Sequence, residues 1–345
     1  YDQLFRDLGN QTYNKETMLE YGWYGENATD VRTGYVNGIP TSGNDNSEGG
    51  MGKGGAQMMA YPTLFFDYDK DDQRRDVSVC NYGIVLSAKG NKYQMNTYNG
   101  MGVGKYRINW KKEMGATNSK RNINFPLLRY ADVLLMYAEA LNEVNNGPTQ
   151  EAINAVKEVR KRAFRGNEAK AAAGIPTNHD DFLTFIQKER KLELSNEGLR
   201  RTDLTRWGKQ YEMLMAEKQR LVNLAKRDGE FANVPVYRAY YLSTTPKFED
   251  PTIALSYIDL SQADVEALGL SADQIKTLKI LNSSSKGSLK DVKLYEKDGK
   301  LYSAVNKPEG AVEHSYTILN MFSIVSIKQK GNLCVEDVTG VSSNN

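Results

Sequence analysis

A mainly α fold with a large loop-rich region and a few short strands is predicted by three features of the sequence. Between Asn124 and Gly208 apolar residues recur at the three-and-four spacing of a helix face. The connectors in that stretch are short and rich in Gly, Pro and Asn, which folds neighbouring helices back on each other. Outside it, Gly-, Asn- and Ser-rich segments without periodicity alternate with short aromatic and β-branched runs.

The first helix lies in PLLRYADVLLMYAEALNE, with Leu128, Ala131, Leu134 (or Leu135), Ala138 and Leu141 on its inner face. Asn145-Asn146-Gly147-Pro148 ends it, because Gly accepts a positive φ and Pro cannot continue the ladder. Thr149 is placed to cap a second helix, TQEAINAVKEVRKRAF, whose inner side carries Ile153, Val156 (or Val159) and Ala163, making an antiparallel αα-hairpin. Ala131, Ala138, Ala140, Ala152 and Ala155 let the two axes approach closely, as in tetratricopeptide-like hairpins, although no second copy recurs at a fixed period. A third helix, DDFLTFIQKERKLELSNEG, has Asp180 and Asp181 where the helix dipole favours carboxylates. Phe182, Phe185 (or Ile186), Leu192 and Leu194 anchor it, and Gly198 ends the run. A fourth is expected from Lys209 to Arg227, with Met213 (or Leu214), Leu221 and Leu224 inward.

Charge crowds the end of the third helix. Glu189, Glu193 and Glu197 fall at successive i,i+4 positions, so they need cations, and Arg190, Arg200, Arg201 and Arg206 are close in sequence. Glu189 and Glu193 could meet the roughly 5–9 Å separation of glycosidase carboxyls. Arginines beside them would depress both pKa values, which suits an ion-pair lock and not a general acid. The lock is expected to hold the helix end and the loop before Trp207, with packing the role of Trp207 itself.

PLLRYADVLLMYAEALNE, AINAVKEVRKRA and FLTFIQKERKLELSNEGLRRTDLTRWG, in this order, resemble the SusD/RagB family of Bacteroidetes outer-membrane lipoproteins. Weaker likenesses are LFRDLGNQTYNKETMLEYGWYG, DKDDQRRD and KYRINW. The resemblance implies a SusD-like fold of tetratricopeptide-like hairpins carrying a loop-rich half. It also implies capture of oligosaccharide, with peptide as the alternative and glycoside hydrolysis a distant third, and delivery to a SusC-type TonB-dependent transporter. Arg129, Glu139, Glu189, Arg190, Glu193, Glu197, Asp203, Arg206 and Trp207 are then its structural motif. Further helical repeats, the secretion signal and the lipidated cysteine of a cell-surface outer-membrane protein are expected upstream, so the chain reads as the C-terminal portion. The expected organisation is a loop-rich candidate ligand-binding region over 1–123, a helical core over 124–228, and a divergent C-terminal region over 229–345 packed on the same domain.

Composition narrows the function classes. With 45 Lys and Arg against 43 Asp and Glu the chain is nearly neutral, and its basic cluster LRRTDLTR lies among acids, so nothing calls for a polyanion. Two histidines, His179 and His314, exclude a multi-histidine metal site. Cys80 and Cys334 fit no C-x-x-C spacing and read as two free thiols or one bridge. No apolar run reaches the roughly 20 residues of a membrane-spanning helix.

The first third supplies the recognition candidates. YVNGIPTSGNDNSEGGMGKGG is a long aperiodic loop flanked by Trp23, Tyr24, Tyr35 and Tyr61. A pyranose packs its C–H face on aromatic rings and satisfies its hydroxyls with amides and carboxylates, so Trp23, Tyr24, Tyr35, Asn44, Asp45, Tyr61 and Tyr98 are the expected ligand contacts. For any single aromatic among them the default use is to anchor its loop to the core, and the same holds for Tyr82, Tyr93 and Trp110. GGMGKGG lacks the Ser or Thr of a phosphate loop, and Gly100, Gly102 and Gly104 lack a dinucleotide fingerprint. Asp67, Asp69 and Asp71 only loosely match a calcium loop, since Asp72 stands where glycine is needed. They read as a solvated turn paired with Arg74 and Arg75, and no cofactor is expected. In the tail, LSQADVEALGLSADQIKTLKIL suggests short helices and KLYEKDGKLYSAV a hairpin about Asp298-Gly299.

Overall fold

The computed structural model describes residues 1–22, 37–43, 54–87, 91–111, 123–241, 244–245, 253–279 and 287–322. In the first third, helix α1 (Asp2–Gly9) buries Leu4, Phe5 and Leu8 against Val77 and Trp110. Strands β1 (Thr17–Tyr21) and β2 (Thr41–Gly43) precede two short helices, α2 (Pro62–Asp67) and α3 (Arg74–Ser78). Strands β3 (Val79–Cys80), β4 (Tyr82–Leu86), β5 (Asn91–Met95) and β6 (Gly102–Val103) follow. Gly104, beyond β6, must be glycine because a Cβ there would collide with the Val77 carbonyl oxygen.

The helical centre begins with β7 (Phe125–Arg129), which pairs antiparallel with β1. Leu128 therefore belongs to a strand, opposite Leu19, and not to the first helix face. Helix α4 starts only at Tyr130 and runs to Val144, because its first amides are met from outside: Tyr130 N–H donates to the Glu16 carbonyl at 2.9 Å and Ala131 N–H to the Glu16 carboxylate at 3.2 Å. Helix α5 (Gln150–Ala163) is capped as expected, with the Thr149 hydroxyl accepting from Ala152 N–H at 3.2 Å.

Beyond α6 (Glu168–Ala172), helix α7 (His179–Glu193) opens on Asn178, whose side chain accepts from Asp181 N–H. Ala131, Leu135, Ala138, Ala152, Ala155, Val156, Val159, Phe182 and Ile186 form one buried cluster of α4, α5 and α7. Leu135, Val156, Val159 and Ile186 settle the alternatives that periodicity left open, while Leu134 and Phe185 are only partly buried. Helix α7 stops at Glu193, and Asn196 and Gly198 take positive φ, 63° and 81°. Glu197 is thus outside the helix that its spacing suggested. Residues expected to form a loop before Trp207 are helical instead, as α8 (Arg200–Arg206), followed by α9 (Gln210–Lys226) with Leu221 and Leu224 buried.

The tail is a five-stranded antiparallel sheet in the order β10-β8-β13-β11-β12. Its strands are β8 (Tyr237–Tyr240), β10 (Ile258–Leu260), β11 (Ser288–Lys297), β12 (Lys300–Tyr302) and β13 (Val312–Asn320). The two-residue β9 (Thr244–Thr245) joins β5 in another sheet. Asp298 and Gly299 both take positive φ, 51° and 73°, giving the twist that a two-residue hairpin needs. Helices α10 (Gln262–Ala267) and α11 (Ala272–Lys279) pack Val265, Leu268 and Leu278 on one face. Tyr240, Leu319, Met321 and Phe322 instead join Ile39, Tyr82, Tyr93 and Tyr98 of the first third, with Leu221 and Leu224 of α9, in the largest core cluster.

Two substitutions measure these contacts. Leu135→Ala, at a fully buried position, is expected to cost about 2–5 kcal/mol by denaturant unfolding. Thr149→Ala removes only a cap and is expected to cost about 1 kcal/mol in the same measurement.

Candidate functional site

The charged motif resolves into two groups of ion pairs, buried except at Arg206 and Arg162. In the first, Glu193 receives Arg74 (3.0 Å), Arg129 (2.7 Å) and Arg162 (2.7 Å), from α3, β7 and α5. Arg74 also meets Glu189 at 2.5 Å and Asp72 at 2.7 Å. Arg129 continues to Glu197 at 2.6 Å, and Lys105 reaches Glu197 at 2.5 Å. In the second, Arg190 bridges Asp132 (2.6 Å) and Asp203 (2.9 Å), and Arg206 joins Asp203 (3.0 Å) to Glu139 (2.5 Å). Trp207 donates its indole N–H to Glu139 at 2.8 Å, which fixes the ring against the helical core.

A lock was expected from the arginines next in sequence; the structure corrects its membership. Arg190 and Arg206 serve Asp132, Asp203 and Glu139, whereas Glu189 and Glu193 are neutralised by Arg74, Arg129, Arg160 and Arg162, and Glu197 by Arg129 and Lys105. Arg74 does pair with one acid of the turn at residues 67–72, Asp72, but both are buried and not solvated, and Arg75 pairs with Asp76. The other acids of that turn find different cations: Asp67 pairs with Lys191 and Arg220, and Asp69 and Asp71 with Lys170.

Electrostatics follow from this packing. Burial alone would raise the Glu193 carboxyl, but Arg162, Arg129 and Arg74 hold it well below the usual carboxylate range. Glu197 is lowered likewise, burial being outweighed by Arg129 and Lys105. Lys105 has no such excess of opposite charge; burial brings its ammonium down to about 8 despite Glu197. A carboxyl so depressed cannot serve as a general acid near neutrality. Glu193 is therefore a fixed anion that ties α7 to its neighbours, and Glu189 shares that role through Arg74 and Arg160.

The recognition candidates divide differently. Trp23, Tyr24, Tyr35, Asn44 and Asp45 lie outside the described residues. Tyr61, just before α2, is 37% exposed beside the exposed Met58 and Met59. Tyr98 is corrected from ligand contact to core: it is fully buried, its hydroxyl donates to the Pro235 carbonyl at 3.1 Å, and its ring meets Phe66 and Phe322. Tyr82, Tyr93 and Trp110 are buried too. Aromatic composition could not separate these cases, since a tyrosine with its hydroxyl paired is as stable inside as on a platform. Cys80 is a buried thiol whose Sγ lies 3.4 Å from the Tyr82 carbonyl oxygen, and Cys334 lies outside the described residues.

Glu193→Gln leaves three guanidiniums short of a carboxylate and is expected to cost about 3–5 kcal/mol. Its folded pKa is below the unfolded value of 4.5, so its contribution is complete above that value and is lost as pH falls below it. Denaturant unfolding between neutral and acidic pH is expected to show a shallower acid limb in the variant than in the wild type.

Residues 11–267 match the SusD family. SusD-like protein P2 of Formosa agariphila is 32% identical over 157 residues, covering 43% of this chain and 31% of that protein. SusD-like protein P25 of the same organism is 43% identical over 82 residues, 24% of this chain and 15% of its own length. Among solved structures, a SusD homologue from Bacteroides thetaiotaomicron superposes with a TM-score of 0.57 at 30% identity, covering 64% of this chain and 46% of its own. The chain spans less than half the length of each of these relatives. The family match runs from β1 through the ion-paired helices into the tail sheet, over well more than half of the sequence, and on that ground the chain belongs to the SusD family.

Proposed function

We propose that this chain is the ligand-binding portion of a cell-surface protein that captures oligosaccharide without transforming it and passes it to a SusC-type TonB-dependent transporter. Membership of the SusD family carries the reading. It is supported by Glu189 and Glu193 of α7, which are buried and ion-paired, and by the arginines that hold the Glu193 carboxyl too low for a general acid. Ligand capture is assigned to the loop-rich region 1–123, with Trp23, Tyr24, Tyr35, Asn44, Asp45 and Tyr61 as its contacts; residues 124–228 are the scaffold and 229–345 pack beside it. Attachment to the outer membrane is assigned to a lipid anchor on the strength of the family; among the described residues no helix is long and apolar enough to cross a membrane.

Calorimetry against plant, host and microbial oligosaccharides tests the proposal. Hydroxyls exchange water for protein at little net gain, so affinity is expected to be modest. Replacing Trp23 and Tyr24 together with Ala is expected to abolish binding. Tyr61→Ala is expected to weaken it by about three- to tenfold, the worth of one stacked ring. Tyr98→Ala should instead lower stability by about 3–5 kcal/mol as a core truncation. Titration of peptides with heat where every glycan gives none would replace the ligand with peptide. The partner is checked by co-purification from outer membranes in mild detergent, where a large barrel protein is expected in the same fraction and recovery of this protein alone counts against delivery.

A further inference from the structure

A cavity of about 260 Å³ opens where α2, the turn after α7, α8 and α9 meet. Its walls are mostly hydrocarbon, from Met59, Tyr61, Leu64, Leu204, Met213 and Leu214. Three charged residues also line it: Lys191, Glu217 and Arg200. Two of them are neutralised within the fold. Lys191 lies 2.6 Å from Asp67 and 3.7 Å from Glu217, and Glu217 in turn meets Arg220 at 3.2 Å and accepts the Thr63 hydroxyl.

Arg200 is different. Its guanidinium donates to the Gln187 carbonyl at 3.0 Å and stands 5.9 Å from the Trp207 ring. Asp203, three residues on, has one oxygen engaged by Arg190 and the other by Arg206. Among the described residues no carboxylate forms an ion pair with Arg200. Consistent with that, burial lowers its pKa, and the more distant Asp203 and Asp67 do not restore it. A half-buried cation with unused donors in the wall of an apolar pocket attracts an anion that brings its own hydrocarbon.

We propose that this cavity binds an apolar monocarboxylate, aryl or branched alkyl, with its carboxylate on Arg200 and its hydrocarbon among Met59, Leu204 and Met213. The size fits one residue's worth of hydrocarbon, since drug-sized ligands occupy roughly 300–1,000 Å³. A sugar ring suits it poorly, because each hydroxyl left unpaired among these walls would give up its hydrogen bonds to water without replacement. The same chemistry is offered by a free acid and by the carboxy-terminal residue of a peptide. The site is independent of the proposed glycan capture, although Tyr61 borders both.

Calorimetry on the whole chain with 3-phenylpropionate and N-acetylphenylalanine, each beside its neutral amide, tests the proposal without any glycan present. Both acids are expected to bind, with the amides about tenfold weaker or more, the worth of one charge-assisted contact. N-acetylphenylalanine binding the tighter would identify a peptide terminus, and 3-phenylpropionate the tighter a free acid. Arg200→Gln is expected to bring the acids down to the level of their amides. Met213→Trp, which fills the cavity and leaves Arg200 in place, is expected to abolish binding of both forms while keeping the wild-type unfolding midpoint. Equal binding of acid and amide, no binding of either acid to the wild type, or acid binding that survives Met213→Trp would each overturn it.

Discussion

The structure depends on one buried carboxylate. Glu193 ends α7 and takes guanidiniums from α3, β7 and α5, three elements far apart in sequence. A lone carboxylate or guanidinium at that depth would be prohibitively costly, so each group requires the others in place. The consequence is mainly geometric. Buried ion pairs are a weak source of net stability, but an arrangement in which every charge is matched in only one packing selects that packing over near alternatives. Arg129 and Lys105 extend the constraint through Glu197 to the turn after α7, and Arg190 and Arg206 carry it to α4 and Trp207.

This constraint determines what the rest of the chain can be used for. Because α7 is held by charge on one side and by Phe182 and Ile186 on the other, the hairpin of α4 and α5 is a rigid support. The first third then packs on α9 and on the tail through a core rich in tyrosine: Tyr68, Tyr82, Tyr93, Tyr98 and Tyr240. Tyr98, expected at a sugar surface, therefore serves as interior with its hydroxyl turned to the Pro235 carbonyl, and Tyr82 of the same core accepts from Arg107. Tyr61, beside the apolar cavity that Arg200 lines, keeps a solvent face.

The tail has a comparable logic. Residues 268–322 extend beyond the family match, yet β13 pairs with both β8 and β11 and so draws the addition into the same sheet as the matched segment. One side of that sheet is closed by α10 and α11, and residues at its inner end complete the large core. An edge added in this way is structural to its neighbours and cannot be removed as an appendage.

The sequence by itself determined the family, the hairpin with its Thr149 cap, the third and fourth helices and the Asp298-Gly299 turn. Each of these rests on contacts a few residues long, where periodicity, capping and turn chemistry act locally. Tertiary structure decided the rest. The start of α4 was set by Glu16, more than a hundred residues away, and the partners of Glu193 by the packing of three other elements. Spacing put Glu197 on a helix that had already ended, and proximity in sequence nominated Arg200 for a lock it does not join. Tyr98 and Tyr61 carry the same side chain beside comparable loops; one is core and the other surface because burial is a property of the assembled layers and not of the residue.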